Sequence, residues 1–541
     1  MGFTFFHGYM PKVFEAQINA GLFKEGDGIR FCQSIDIPEN LKFNNLAKIG
    51  GDLYNFLKEN NCPMYIDRLQ GGCFFEGYDY DMELVRAYRE MLGEKFFGFQ
   101  MHEWMSNFVS DIRKLVDGKC PEPWTEENIT ATLKRDFPYP HVFTEAASVK
   151  EFAEIGHITD WEKYLETMNA LFLKRQKYTD GMLLPCDSGF LGFSLEFKNG
   201  AKRVMPEIGQ GTKNTAVQFA YARGMANAYG KSYGAYYEPW GGEPFSVCNY
   251  QKDGFNEWNI DNDGFPFKSA GGNGGSSRSL QKRMYFYSYM SGAEFISEEW
   301  GLCNTFYDWN DFELTPYGQV KKEFIDFTKQ YKNIGKPITP VAVVIPKEIP
   351  VIDYLDSADG SYLSFQVDGD LRRKVDNMRN GLRRLFASGE TFGNENERLV
   401  NLCLPDAFDI VNEDVYDDGK YAFAVNLTGD QSFEKKHKCC SVDDLPEVFD
   451  KLLPCKVTGG LHHIVNKNSN NEYCLTVFNN TGIVRTVKDG EYSLKEAEKT
   501  VCVELKDGRK LSAIYGNFEI KETDGKYYIT VPAGEMFIGK F

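Results

Sequence analysis

The chain has little of what marks a membrane, nucleic-acid or disulfide-built protein. No run approaches the roughly 18 apolar residues of a membrane span. Lys and Arg total 61 against 78 Asp and Glu, and the net charge of -17 argues against nucleic acid or an anionic membrane as partner, since both need clustered cations. The 13 Cys contain no C-x-x-C, and the only close pair is Cys439-Cys440. That usage fits buried thiols in a reducing cytosol rather than a disulfide framework, so the expected location is cytoplasmic. Seven scattered His offer no H-x-x-x-H and no Cys/His cluster, and no metal site is expected. No G-x-G-x-x-G follows an early strand, and no cofactor is expected. The first residues, Met1 to His7, enter a strand-like run with no basic segment or cleavage site of the targeting kind.

What is present is aromatic and alternating. Aromatic residues reach 15%, with 43 Phe and 30 Tyr. At 541 residues the chain exceeds one core, and two to four domains are expected. Up to about residue 335, eight strand-like runs alternate with helical patterns: Phe3–Tyr9, Ile29–Ile35, Pro63–Leu69, Phe96–Glu103, Gly181–Cys186, Arg203–Ile208, Tyr233–Trp240 and Ala293–Trp300. Helices are predicted at Leu41–Asn60, Met82–Leu92, Trp161–Gln176, Thr215–Tyr229, Ser279–Met290 and Tyr317–Tyr331. The fifth connection, near Phe190–Gly200, reads as a hairpin. The fold class is therefore α/β: a (β/α)8 TIM barrel over 1–335. Gly335–Pro340 reads as a linker into a small α/β domain over 336–457, and 458–541 as a C-terminal β-sandwich. The long connection Glu243–Arg278 carries Gly271-Gly-Asn-Gly-Gly275 and is read as a substrate-shaping lid, with disorder or a partner contact as the rival.

Acidic residues recur where the apolar runs end: Glu103 followed by Trp104, Glu207 in Arg203-Val-Met-Pro-Glu207, Glu238 two residues before Trp240, and Glu298-Glu299 before Trp300. A barrel enzyme places its chemistry at the C-terminal ends of its strands. Two carboxyl groups flanking one bond are the apparatus of glycoside hydrolysis, and Trp faces stack on sugar rings. Glu103 ends the fourth strand and Glu238 the seventh, nearly opposite across the mouth. Glu298 and Glu299 point to opposite faces of their strand, so one of them reaches the mouth, and that one is the rival to Glu238. Glu207 is a candidate for holding a sugar hydroxyl, for tuning a neighbour's pKa, or for a buried ion pair. Asp67 and Arg68 either contact substrate or pair with each other, and His7 is placed in the same layer. Trp104, Trp240 and Trp300 are candidate sugar platforms.

A Glu after strand four and another after strand seven resemble the clan A glycoside hydrolases. The domain order resembles that of the family 42 β-galactosidases. So do Ser279-Leu-Gln-Lys-Arg-Met-Tyr285 with Ser291-Gly-Ala-Glu-Phe295, and Thr315-Pro-Tyr-Gly-Gln319 leading into Val341-Ala-Val-Val344. The resemblance implies a retaining β-galactosidase-like hydrolase, with Glu103 as acid/base and Glu238 as nucleophile, acting on an oligosaccharide or glycoside. It also implies a flavodoxin- or amidotransferase-like middle domain and a homo-oligomer. One position departs: the clan carries Asn before the strand-four Glu, and this chain has His102, a hydrogen-bond donor that titrates near neutrality. A non-catalytic sugar-binding relative is the alternative. A working amidotransferase would need a nucleophilic Cys on a Gly-flanked turn, and Cys403 lacks the flanking Gly.

Overall fold

The computed structural model describes residues 2–32, 39–69, 80–105, 120–136, 154, 157–158, 160–188, 191–209, 215–238, 277–299, 305–307, 310–347, 361–362, 365–367, 369–386, 405–486, 490–516 and 518–541. Eight parallel strands form the first unit: β1 (Thr4–Tyr9), β2 (Gly28–Phe31), β3 (Met64–Ile66), β4 (Phe96–His102), β5 (Leu183–Asp187), β6 (Arg203–Gly209), β7 (Ala235–Glu238) and β8 (Phe295–Glu298). Their order around the sheet is β5-β4-β3-β2-β1-β8-β7-β6, and β5 pairs with β6 to close the barrel. A helix follows each strand in turn: α1 (Pro11–Asn19), α2 (Asp52–Asn60), α3 (Met82–Leu92), α4 (Trp161–Tyr178), α5 (Phe193–Lys198), α6 (Thr215–Tyr229), α7 (Arg278–Met290) and α8 (Pro316–Gln330). This is a (β/α)8 barrel.

Local chemistry sets these boundaries. Side-chain caps begin four helices: Asp81 accepts from the N–H groups of Glu83 and Leu84, Asp160 from Lys163, Ser277 from Leu280, and Thr315 from Gly318. Two helical expectations need correction. The pattern over Leu41–Asn60 is split into Phe43–Leu46 and α2. The fifth connection is the short helix α5 rather than a hairpin, and Phe193, Leu195 and Phe197 are buried on it.

Alternation along each strand sorts side chains between two cores. Phe6, Tyr65, Leu184, Cys186, Met205, Tyr236 and Phe295 fill the barrel interior. The other faces pack against the helices in one extended core. Strand β4 breaks the alternation: Phe97 packs with the interior cluster and Phe99 and Met101 join the outer core. The pairing of β3 with β4 shifts register there, and Gly98 takes φ +94° with Met182 O 2.1 Å from where a Cβ would sit.

Beyond the barrel, Val341–Ile345 is the middle strand of a three-stranded parallel sheet, between Phe408–Asn412 and Phe423–Asn426. Helix α6 lies between this sheet and the barrel, which explains why Thr215–Ala226 are all buried. Gly224 permits the approach, because a Cβ there would meet Ile410 O at 2.1 Å. The C-terminal part stacks a five-stranded sheet on a four-stranded antiparallel one around Val465, Leu475, Val503, Ile529 and Phe537. The segment expected to be a linker is an edge of that sheet: Lys336 and Pro337 pair with Lys467 and Asn466. Among the described residues no helix is long and apolar enough to cross a membrane.

Candidate active site

The barrel's parity decides which acids meet. Tyr236 and Met205 face the interior, so Glu238 and Glu207, two residues further along β7 and β6, face it too. Register sets them side by side, with Glu207 opposite Tyr236 and Gly209 opposite Glu238. Ser297 on β8 points inward, where Tyr65 donates to it at 2.6 Å, and Glu299 follows on the same side. One carboxylate oxygen each from Glu207, Glu238 and Glu299 lies within 4.8 Å of the other two. Glu103 follows β4, where its N–H donates to Cys186 O at 2.7 Å. It is in the left-handed region at φ +43°, and Ser188 Oγ donates to its Oε1 at 2.8 Å. Its carboxyl stands in hydrogen-bonding reach of Glu207.

Four carboxyl groups this close cannot all be ionised. Burial, then the charges of Glu103, Glu299 and Glu238, hold the Glu207 pKa well above the usual carboxylate range. Glu207 therefore keeps its proton, and its protonated carboxyl can donate to Glu103. Positive charge comes from Arg68, which is ion-paired with Glu299. Burial works to lower the Arg68 pKa, but Glu299, Asp67 and Glu103 keep it above its usual range. The His102 ring lies between two acids, its Nε2 3.4 Å from Glu299 and 3.6 Å from Glu103. Burial leads in raising the Cys186 pKa, with Glu207 adding to it, so that side chain stays a thiol. One ligand atom each from His102, Cys186 and Glu207 also lies within 4.8 Å of the other two, so among the described residues Glu207 belongs to both groups that could hold a cation.

Several candidates lie elsewhere. Phe6 faces the barrel interior, so His7, its neighbour, faces outward: Nδ1 is 3.2 Å from Gln17 on α1 and Nε2 3.2 Å from Asp27. The expected pocket role of His7 is corrected on that ground. Trp104 is a core residue, 2% exposed, packed on Phe172 and donating to Glu196 Oε1 at 2.9 Å, so it is no sugar platform. Glu298 points out of the barrel to Lys321 and Tyr285, which leaves Glu299 as the member that faces the mouth. Asp67 and Arg68 do not pair with each other: Asp67 receives Arg30 at 3.0 Å and is buried, while Arg68 takes Glu299. Trp240, Trp300, Cys403 and the connection over 243–276 lie outside the described residues.

Several residues of the site were not read from the sequence. Arg30 crosses the barrel interior to Asp67 and to Tyr236 Oη at 3.1 Å. The single cation in the apolar run Gly28-Ile-Arg30-Phe was its signal. Asp187 ends β5 beside the site but, next to inward-facing Cys186, turns out of the barrel toward buried Glu196 on α5, and burial raises both pKa values. An Asp after Leu-Leu-Pro-Cys186 repeats the strand-end pattern that marked the other acids.

The chain matches no protein-family profile and no curated protein. Among solved structures it is similar to the catalytic module of a family 98 glycoside hydrolase from Streptococcus pneumoniae TIGR4, at 10% identity and TM-score 0.44, covering 100% of this chain and 98% of that one. A polyextremophilic β-galactosidase from the Antarctic haloarchaeon Halorubrum lacusprofundi matches at 9% identity and TM-score 0.42, over 99% and 98% of the two chains. A family 30 subfamily 8 xylanase from Clostridium acetobutylicum matches at 6% identity and TM-score 0.34, over 100% and 95%. Likenesses this distant carry no chemistry, and function has to be argued from the site itself.

Proposed function

We propose that the barrel is a retaining glycoside hydrolase that removes a terminal β-linked sugar, with β-galactosides as the leading substrate class. The observation that carries this reading is the convergence of Glu103, Glu207, Glu238 and Glu299 at the C-terminal end of one barrel, with a proton retained among them. In the first step Glu103 gives its proton to the glycosidic oxygen while Glu238 attacks the anomeric carbon. The aglycone leaves as an alcohol and a glycosyl ester remains on Glu238. In the second step the Glu103 carboxylate takes a proton from water, whose oxygen displaces Glu238 and releases the sugar with its configuration retained. Glu207 supports both steps as the protonated partner within hydrogen-bonding reach of Glu103. Glu299 is ion-paired with Arg68 and lies beside His102, so it serves here to hold those two side chains at the mouth. His102 stands where it can donate to a sugar hydroxyl.

The test is inactivation with a 2-deoxy-2-fluoro-β-galactoside followed by peptide mass spectrometry. The label is expected on the Tyr233–Trp240 peptide, and Glu103→Gln and Glu238→Gln are each expected to lose at least about 10²-fold in kcat on aryl glycosides. A label on Ser297–Trp300 moves the nucleophile to Glu299. Wild type as inert as both variants, yet still binding sugar, would leave a binding protein.

A further inference from the structure

A cavity of about 510 Å³ lies away from the carboxylate cluster, between the first turns of α7 and α8 and the hairpin Ile483–Thr486/Gly490–Ser493 of the C-terminal part. Barrel helices run back from the C-terminal ends of the strands, so their first turns lie at the end where the acids are. The cavity therefore opens on the rim of the catalytic face. Its size is within the range of about 300–1,000 Å³ typical of small-molecule sites.

Its polar groups are already oriented. Lys282 Nζ is 3.2 Å from both oxygens of Glu535 and 3.9 Å from Glu323, and Glu323 accepts from Tyr515 Oη at 2.6 Å. Glu491 accepts from the backbone N–H groups of Arg278 at 2.8 Å and Ser279 at 3.0 Å, which pins the hairpin to the positive end of α7. Tyr492, next to that pin, lines the cavity at 42% exposure. Among the described residues it and Tyr528 are the only aromatic side chains that stand this open. Tyr307 and Gln319 also line the cavity, with Leu314, Val320 and Ile483 among its apolar groups.

An open aromatic ring beside paired carboxylate and ammonium groups and the exposed Gln319 amide is the chemistry that takes a pyranose. The apolar C–H face of the sugar lies on the ring, and its hydroxyls divide between acceptors and donors. An apolar ligand would leave Lys282, Glu323 and Gln319 desolvated, and a small ion would leave Tyr492 unused. We propose that this cavity is an outer saccharide subsite, which holds sugar units remote from the bond being cleaved. The place of that subsite in catalysis rests on the glycosidase reading; the binding itself does not. The substrate class is accordingly an oligosaccharide, bridging barrel mouth and hairpin, rather than a small glycoside.

The test is isothermal titration of the Glu238→Gln protein with three probes: β-1,4-galactotetraose, cellotetraose and xylotetraose. At least one is expected to bind, with Kd weakened about tenfold or more by adding Tyr492→Ala and held within about twofold by Tyr492→Phe. Gln319→Ala, on the opposite wall, is expected to weaken the same probe severalfold, a check that does not depend on the hairpin. Binding indifferent to Tyr492 and Gln319, or no binding of any of the three, overturns the subsite. Hydrolysis of aryl glycosides by wild type is scored separately. An active enzyme with Tyr492-independent binding loses the subsite and keeps the glycosidase reading, whereas Tyr492-dependent binding without hydrolysis does the reverse.

Discussion

At the scale of single residues, the site imposes a stability cost that can be read as a pH dependence. An unfolded glutamate gives up its proton near pH 4.3. Folded Glu207 keeps its proton well above that, because burial and three neighbouring carboxylates oppose its charge. Between those two values the folded state binds more protons than the unfolded one, so stability falls as pH rises through the window. Gln at this position is neutral at every pH and carries no such penalty. Glu207→Gln is therefore expected to melt higher than wild type by about 2–4 °C at pH 8, with the difference fading toward pH 4. The same variant is expected to lose on the order of 10²-fold in kcat/KM on aryl glycosides, since Glu103 loses the protonated carboxyl beside it. Parallel melting curves at both pH values would remove the proton retained on Glu207. Stability gained at the expense of turnover is the usual signature of a strained active-site group.

At the scale of elements, β4 decides whether the acids converge. The register shift at Gly98 lets Phe97 fill the interior and still leaves His102 and Glu103 at the mouth. Gly98→Ala would put a Cβ 2.1 Å from Met182 O in a conformation that L-residues rarely adopt. The backbone has to move to relieve that contact, and a displacement of about 1 Å at Glu103 costs on the order of 10²-fold in rate. The expected outcome is a kcat loss of that size with a lower melting temperature, and unchanged kinetics would show that the bulge positions nothing. This element also marks the limit of what was legible beforehand. All eight strand runs were visible, because buried parallel strands read as apolar segments and helices have their own period. Facing was not, since a one-residue difference in parity reverses every side chain. His7 and Trp104 fall on that distinction: one lies within β1 and the other just past β4, and both turn toward the helices. Helix α5 was missed because a six-residue helix between glycines has too few turns to show a period.

At the scale of the whole molecule, barrel, parallel sheet and C-terminal sheets meet at one buried charged junction. Arg223 on α6 reaches Asp409 at 2.6 Å and Asp406 at 3.1 Å, and Tyr287 on α7 donates to Asp406 at 2.5 Å. His462, from the C-terminal part, packs between the rings of Tyr287 and Phe478 with its Nε2 3.8 Å from Asp406. Burial lowers its pKa to about 4, against the pull of Asp406, and burial sets neighbouring His463 at about 4 as well. An unfolded histidine protonates near pH 6.5. Between pH 6.5 and 4 the unfolded state thus binds more protons, and the contribution of His462 is complete above that window and lost as pH falls through it. At pH 5 the loss is on the order of 2 kcal/mol for this ring. Among the described residues neither ring nitrogen of His462 has a hydrogen-bond partner, so His462→Phe keeps the stacking and removes the titration. Urea unfolding at pH 7.5 and pH 5 is expected to show a shallower drop for His462→Phe than for wild type, with the variant the more stable of the two at pH 5. Equal drops would mean that the junction stays closed to protons and that acid sensitivity arises elsewhere. A lower midpoint for the variant at pH 7.5 would instead measure the strain of fitting the larger ring.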